Sequence, residues 1–203
     1  MAWGIIQPVE IIVVDLETAA HDPSKSDLRD LDNSLIIEVG IVKANLETGT
    51  IEPVFNEVCR EDKTCSEKSW IFQNSSLTVE QIVSSNHFNE YKQEIQELFN
   101  EYYATSWWQE FDFKRLEHSS RGLSIVNRFW DPVIALKPYL KLPPIRPTGY
   151  KRPKVEEAYM YFNEGKSLDH PHRALDDATI EAEIIIQAVQ QWPELLEEWQ
   201  KYT

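Results

Sequence analysis

The chain has 203 residues, 42% hydrophobic and 27% charged, near the averages of globular proteins, so disordered, collagenous and membrane-spanning classes are excluded and one domain over residues 1–203 is expected. Acids outnumber bases by 34 to 20, a net charge of −14 that at face value repels a polyanion and argues against a nucleic-acid partner. Two cysteines, Cys59 and Cys65, outline neither a disulfide framework nor a zinc site.

Met1 to Ile6 lacks the basic region and long apolar stretch of a secretory signal, so a soluble cytoplasmic protein with reduced thiols is expected. Val9 to Asp15 is a short run rich in β-branched residues and reads as a buried strand closed by Asp15-Leu16-Glu17. After a polar loop from about Ala19 to Asn33, Leu35–Lys43 and Ile51–Val58 read as a hairpin turned by Glu47-Thr48-Gly49-Thr50. Thr78 opens a short helix, and Phe88 to Tyr102 spaces Tyr91, Ile95, Leu98, Phe99 and Tyr102 at helical intervals. Tyr103–Trp108 reads as a strand, Phe113–His118 as the start of a helix, Asp131–Leu140 as another, and Pro143 to Pro147 as a rigid connector. Helices are expected over Val155–Phe162, Asp176–Gln190 and Pro193–Tyr202. Strands that precede and then mix with helices predict an α/β fold with a mixed sheet.

Residues i and i+2 of a strand point to one face, so Asp15 and Glu17 project side by side. Two carboxylates that close repel unless a cation lies between them, and hard ions such as Mg²⁺ or Mn²⁺ prefer oxygen ligands. Alone, the pair is more often a solvated strand end. His172-Arg173-Ala174-Leu175-Asp176-Asp177-Ala178 adds a histidine on a loop and an aspartate on the first turn of a helix, an arrangement that suits a base beside a metal ligand. Asp112 follows Phe111 near the start of another helix.

With these residues in order, the sequence resembles the DEDDh exonucleases, a superfamily that includes proofreading exonucleases, oligoribonuclease, RNase T and the histone-mRNA type of 3′ exonuclease. Asp15-x-Glu17-Thr18 matches the first motif, Phe111-Asp112 with Leu116 the second, and His172-x-Ala174-x-x-Asp177-Ala178 the third, spanning residues 9 to about 190. The resemblance implies a ribonuclease H-like fold, a central mixed sheet flanked by helices. It implies two divalent ions, Mg²⁺ or Mn²⁺, held by Asp15, Glu17, Asp112 and Asp177, and His172 as general base. It further implies 3′→5′ release of 5′-mononucleotides from single-stranded RNA or DNA with a free 3′ end. Where many members have an asparagine three positions before the motif phenylalanine, this chain has Trp108, like the branch with a Trp-rich strand, which tilts the expected substrate toward RNA.

Other residues compete for these roles. His170 is a rival base, and Asp176 suits the positive end of a helix dipole. Glu38 and Glu110 are within reach of the metals only if they are not solvated, and His21, His87 and His118 carry no partner pattern. Trp107 and Trp108 are core or base-stacking residues. Thr18 and Ala19 are either turn residues or contacts to the terminal nucleotide, as the resemblance implies. The alternatives are a catalytically silent nucleic-acid-binding or scaffold module of the same fold and an unrelated acidic interaction protein. With no second domain, targeting falls to the domain itself or to a protein partner.

The charge is unevenly spread. Between Lys114 and Lys154 ten bases meet two acids, a local charge of +8 that leaves −22 for the remainder. A strand-tracking surface is therefore expected in this stretch, with Lys151, Arg152 and Lys154 as its candidates, against the alternative of bases scattered over solvated faces.

Overall fold

The computed structural model describes residues 9–25, 30–144, 149–169 and 172–197. His170 and Arg146, and parts of the proline-rich connector and of the last helix singled out above, lie outside the described residues. The apolar run read as the first strand is the centre of a four-stranded sheet: β1 (Glu10–Ala20) pairs antiparallel with β2 (Ser34–Asn45), which pairs antiparallel with β3 (Ile51–Val58). Ile11, Ile12, Val13 and Val14 are all fully buried, as a strand covered on both faces requires. β1 runs five residues past Asp15, because β2 continues the ladder to Ala20↔Ser34 across a bulge between Glu17 and Thr18. The two acids therefore sit inside the strand, not at its end.

Between β3 and the next strand lie α1 (Ile71–Asn74), which the sequence pattern does not signal, α2 (Val79–Ser84) and α3 (Phe88–Glu101). Thr78 accepts from the Gln81 N–H while the Gln81 side chain accepts from the Thr78 N–H, the reciprocal box that starts α2. β4 is only Tyr103–Thr105 and runs parallel to β1, giving the order β3-β2-β1-β4. It stops short of the predicted Trp108 because the chain turns at Ser106: Gln109 donates to Thr105 Oγ1 (3.0 Å) and to the Phe129 carbonyl (3.0 Å) and starts α4 (Gln109–Leu116).

The helix expected over Asp131–Leu140 is two, α5 (Pro132–Ala135) and α6 (Lys137–Leu140), since Pro138 has no N–H to continue the ladder. Then come α7 (Val155–Phe162), α8 (Ala174–Gln191) and α9 (Glu194–Glu197).

The architecture is thus the mixed α/β sheet predicted, in three layers. One face of the sheet, with Ile11, Val13, Val42 and Ala44, packs on Ala178, Ala182 and Ile185 of α8. The other, with Ile12, Val14, Leu16 and Ile41, packs on Phe88, Ile95 and Phe99 of α3 and Phe113 and Leu116 of α4. A third cluster joins Ala19, Leu35 and Ile37 to Ile71, Leu77 and Ile82 under α1 and α2. Among the described residues no helix is long and apolar enough to cross a membrane.

The closest approach between layers lies beside the acids. Gly40, the register partner of Asp15, has its α-carbon under the start of α8, where an added Cβ would lie 2.2 Å from the Ala174 carbonyl carbon. Fully buried Ala174, Ala178 and Ala182, spaced by four, let the helix lie this close to the sheet. Gly40→Ala is expected to lower stability by ~3 kcal/mol, the upper end of overpacking costs, since backbone and not a flexible side chain must move. Denaturant melts of the two proteins check this.

Candidate active site

Three elements carry the motif acids to one place. Asp15 and Glu17 project from β1 toward α8, Asp112 lies one turn into α4, and Asp177 lies in the first turn of α8. Asp112 and Asp177 are both 4% exposed and Glu17 9%. Ligand atoms of Glu17, His172 and Asp177 all lie within 4.8 Å of one another. His172 precedes the helix in a left-handed backbone (φ +50°), a conformation a non-glycine residue holds only when its surroundings enforce it. Its ring meets the edge of Trp70, with centroids 4.7 Å apart at 80°.

What enforces it is an ion pair with Glu38 on β2, opposite Glu17 in the ladder. Glu38, 1% exposed, accepts two hydrogen bonds from Arg173 through Oε1 (2.9 and 2.6 Å) and one from the Ala174 N–H through Oε2 (3.0 Å). That pair pins the residue after His172 and the first helical N–H of α8 to the sheet. The sequence reading of Glu38 as a solvated acid is therefore corrected: the register opposite Glu17 buries it. Glu110 is solvated as expected, bonded to Lys114 at 2.8 Å. Of the remaining histidines, His87 caps α3, His21 bonds the Thr64 carbonyl and His118 bonds Ser120.

One acid escaped the sequence reading. Glu181 stands four residues after Asp177 on α8, 3% exposed, and its Oε2 accepts the Trp107 backbone N–H at 3.0 Å. The i, i+4 spacing puts it on the helix face that carries Asp177, which was the available signal.

Burial, then mutual repulsion, holds protons on this cluster. Asp15 and Glu181 are pushed well above the carboxylate range by burial and then by neighbouring acids, Asp112 for Asp15 and Asp15 for Glu181. Glu17 is raised to about 10 by burial, Asp15 and Asp177, and Asp177 to about 8 by burial and Asp15. Asp112 rises by burial to about 7, partly offset by Ser106 and the Arg115 guanidinium. His172 is lowered by burial, against Glu156. Oxygen ligands crowded this way, with one imidazole at the edge, fit hard divalent cations, whose charge relieves the repulsion that now costs each carboxylate its ionisation.

The family profile described as exonuclease (RNase_T) matches residues 12–185, which contains every motif residue named. The chain belongs to this exonuclease family. Solved structures of the same fold include the 3′-exonuclease that recognises the histone mRNA stem-loop (17% identity, 93% of this chain and 84% of that one, TM-score 0.71). The nuclease domain of 3′hExo, a DEDDh family member bound to rAMP, is similar at 17% identity over 92% and 94%, TM-score 0.71. E. coli Exonuclease I with a dT13 oligonucleotide is similar at 13% over 93% and 42%, TM-score 0.65. No curated protein sequence matches. The fold is thus ribonuclease H-like, as the motif resemblance implied, and the chain is a nuclease by family.

The predicted substrate contacts fare unequally. Thr18 is partly exposed just past the bulge, beside Glu17, whereas Ala19 is fully buried in the core and offers no surface to a nucleotide. Trp107 and Trp108 lie in a turn rather than a strand; Trp107 is buried and Trp108 is 45% exposed. The stretch from 114 to 154 is not one basic patch. Arg115 and Arg121 are buried, Arg115 donating to Ser34 Oγ (2.8 Å) and Arg121 to Glu61 (2.7 Å). Arg128 bonds both oxygens of Glu117, and Lys151 is paired with Glu157, which removes it from the proposed track. Both cysteines are free thiols, and burial raises the pKa of Cys59.

The raised carboxylates set a pH dependence. In the folded, metal-free chain they keep protons that the unfolded chain sheds near pH 4, so the stability these groups contribute is full below about pH 4 and is lost as pH rises from there through about 7 and 8, the values of Asp112 and Asp177. Mg²⁺ or Mn²⁺ is expected to raise Tm more at pH 8.5 than at about pH 6, with proton release on binding; melting scans across pH with and without metal check this. Arg173→Ala leaves Glu38 buried without its cation and is expected to cost ~2–3 kcal/mol in a denaturant melt, Arg173→Lys less.

Proposed function

We propose that this nuclease is a metal-dependent 3′→5′ exonuclease that releases 5′-mononucleotides from single strands with a free 3′ end, RNA more readily than DNA. The observation that carries the reading is the convergence of Glu17, Asp177 and His172 within 4.8 Å, in a cluster where the charges of Asp15 and Asp112 also act on Glu17. Asp15, Glu17, Asp112 and Asp177 would hold two divalent ions, Mg²⁺ or Mn²⁺. Bound there, such ions acidify a water and offset charge on a phosphodiester and its leaving 3′-oxygen.

The chain's own residues supply the rest. His172, its pKa lowered by burial, is neutral near pH 7 and accepts the proton of the attacking water at a ring nitrogen. Trp70, nearly perpendicular to the imidazole, and the Arg173–Glu38 pair beside it fix the plane and position of that ring. Thr18, half-exposed beside Glu17, lies where a terminal nucleotide would pass. Support for RNA comes from the two solved structures whose names include histone mRNA and rAMP, at a TM-score of 0.71, against 0.65 for Exonuclease I with dT13.

End-labelled RNA and DNA oligomers with Mn²⁺ or Mg²⁺ test the proposal. Shortening from the 3′ end with 5′-mononucleotide as product is expected, with RNA turned over faster at matched salt. Asp15→Ala should abolish turnover, and His172→Ala should lower kcat by ~10²–10⁴-fold. Product from no substrate, or full activity in Asp15→Ala, overturns it and favours a catalytically silent module.

A further inference from the structure

A groove of about 310 Å³ lies between the turn that enters α4 and the segment that enters α7, lined in part by Trp107, whose backbone N–H binds Glu181. Its walls are Trp107, Trp108, Val133 and Val155, and Arg152 and Lys154 stand at its rim. We propose that this groove holds an internal nucleotide of the strand whose 3′ end occupies the acid cluster, the base against Trp108 and the phosphodiester against Arg152 and Lys154. The proposal rests on the exonuclease reading above and extends it from the reacting end to the strand behind it.

Three observations argue for this occupant. The first is the indole. Trp108 stacks on Phe111 (centroids 5.3 Å, 19°), which fixes its plane while 45% of the residue stays in solvent, and a rigid exposed aromatic plane is what an unpaired base stacks on. The second is charge. Of the ten bases between 114 and 154, Lys114, Arg128 and Lys151 are neutralised by acids and Arg115 and Arg121 are buried, yet Arg152 and Lys154 form no ion pair among the described residues and share one groove. The acids on which their charges act are already engaged: for Arg152, Glu110 by Lys114 and Asp131 by the N–H groups of Val133 and Ile134; for Lys154, Glu157 by the Lys151 ammonium and the Lys154 backbone N–H. In a chain of net charge −14, a rim of two uncommitted cations over an apolar floor is complementary to a base carried on a phosphodiester.

The third is continuity with the acid cluster. Trp107 donates its backbone N–H to Glu181 and its indole N–H to the Pro153 carbonyl (3.2 Å), so one residue is a wall of both sites and ties the Arg152–Lys154 segment to the turn before Asp112. A strand leaving the acids over Trp107 meets Trp108 and the two cations next.

The test is the dependence of KM on strand length. Single-stranded oligomers of two to six nucleotides are turned over by the full chain with Mn²⁺, and binding is read separately by anisotropy with Ca²⁺ in place of Mn²⁺. In the wild type KM is expected to fall about tenfold over this range; Trp108→Ala should shrink that gain to under about threefold, and Trp108→Phe should restore it. Arg152→Ala with Lys154→Ala should reduce the slope of log Kd against log salt by about 1 to 2. Melting curves confirm that each variant is folded. Wild-type dependence on length in Trp108→Ala, with an unchanged salt slope in the double variant, overturns the groove while leaving the exonuclease reading intact. Absence of any cleavage by the wild type fails that reading and takes this one with it.

Discussion

Repulsion among buried carboxylates is the constraint on which this molecule turns. Asp15, Glu17, Asp112, Asp177 and Glu181 are drawn from two strand positions and two helices into a largely buried space, where burial raises the pKa of all five and neighbouring acids raise Asp15, Glu17, Asp177 and Glu181 further. Nothing in such a cluster stabilises the metal-free fold. The sheet must hold it against its own charge, and does so with the fully buried β-branched run of β1 and with apolar layers on both faces. The arrangement stores electrostatic cost where a cation can release it, the usual exchange of stability for function at a preorganised site.

The framework around the acids shows how the positions are kept. Gly40 lets the first turn of α8 touch the sheet directly across from Asp15, and the Glu38–Arg173 pair fixes that turn in register with Glu17. Glu181 then locks α8 to the turn that leads into Asp112. Together with the β1–β2 ladder, these three contacts join all the elements that carry motif residues. None needs to touch a substrate for its loss to matter, because the reacting groups are useful only at fixed separations.

Charge in this chain is spent inward as much as outward. The basic stretch between 114 and 154 looked like a surface for a polyanion, but Arg115 and Arg121 are buried as internal bracing and Lys114, Arg128 and Lys151 are paired with acids. Arg121 alone bonds Glu61, the Arg115 carbonyl and the Ser34 carbonyl. Guanidinium suits this use, since its planar fork satisfies several acceptors at once and stays charged when buried. What remains for solvent at the groove is two cations beside an exposed indole, a far smaller and more local feature than the sum of +8 suggests.

The pattern of residues alone determined the hairpin, the α2, α3, α7 and α8 helices and the mixed sheet, because hydrophobic period, capping residues and turn residues are local signals. Its three ordered motifs also singled out Glu17, His172 and Asp177, whose ligand atoms lie within 4.8 Å of one another. It misjudged what depends on partners distant in sequence. Asp15 appeared to end a strand that β2 in fact extends, Ala19 appeared to be at a turn when it packs under α1, and Lys151 appeared available when Glu157 holds it. Glu38 and Glu181 were hidden for the same reason: a lone glutamate is indistinguishable from a solvated one until the register opposite Glu17 and the helix face beneath Trp107 exclude water from it. The resemblance carried by the three motifs implied the chemistry; only the packing of strands and helices decided which charges are buried, which are paired and which still face solvent, since burial is a property of the whole fold and not of any segment.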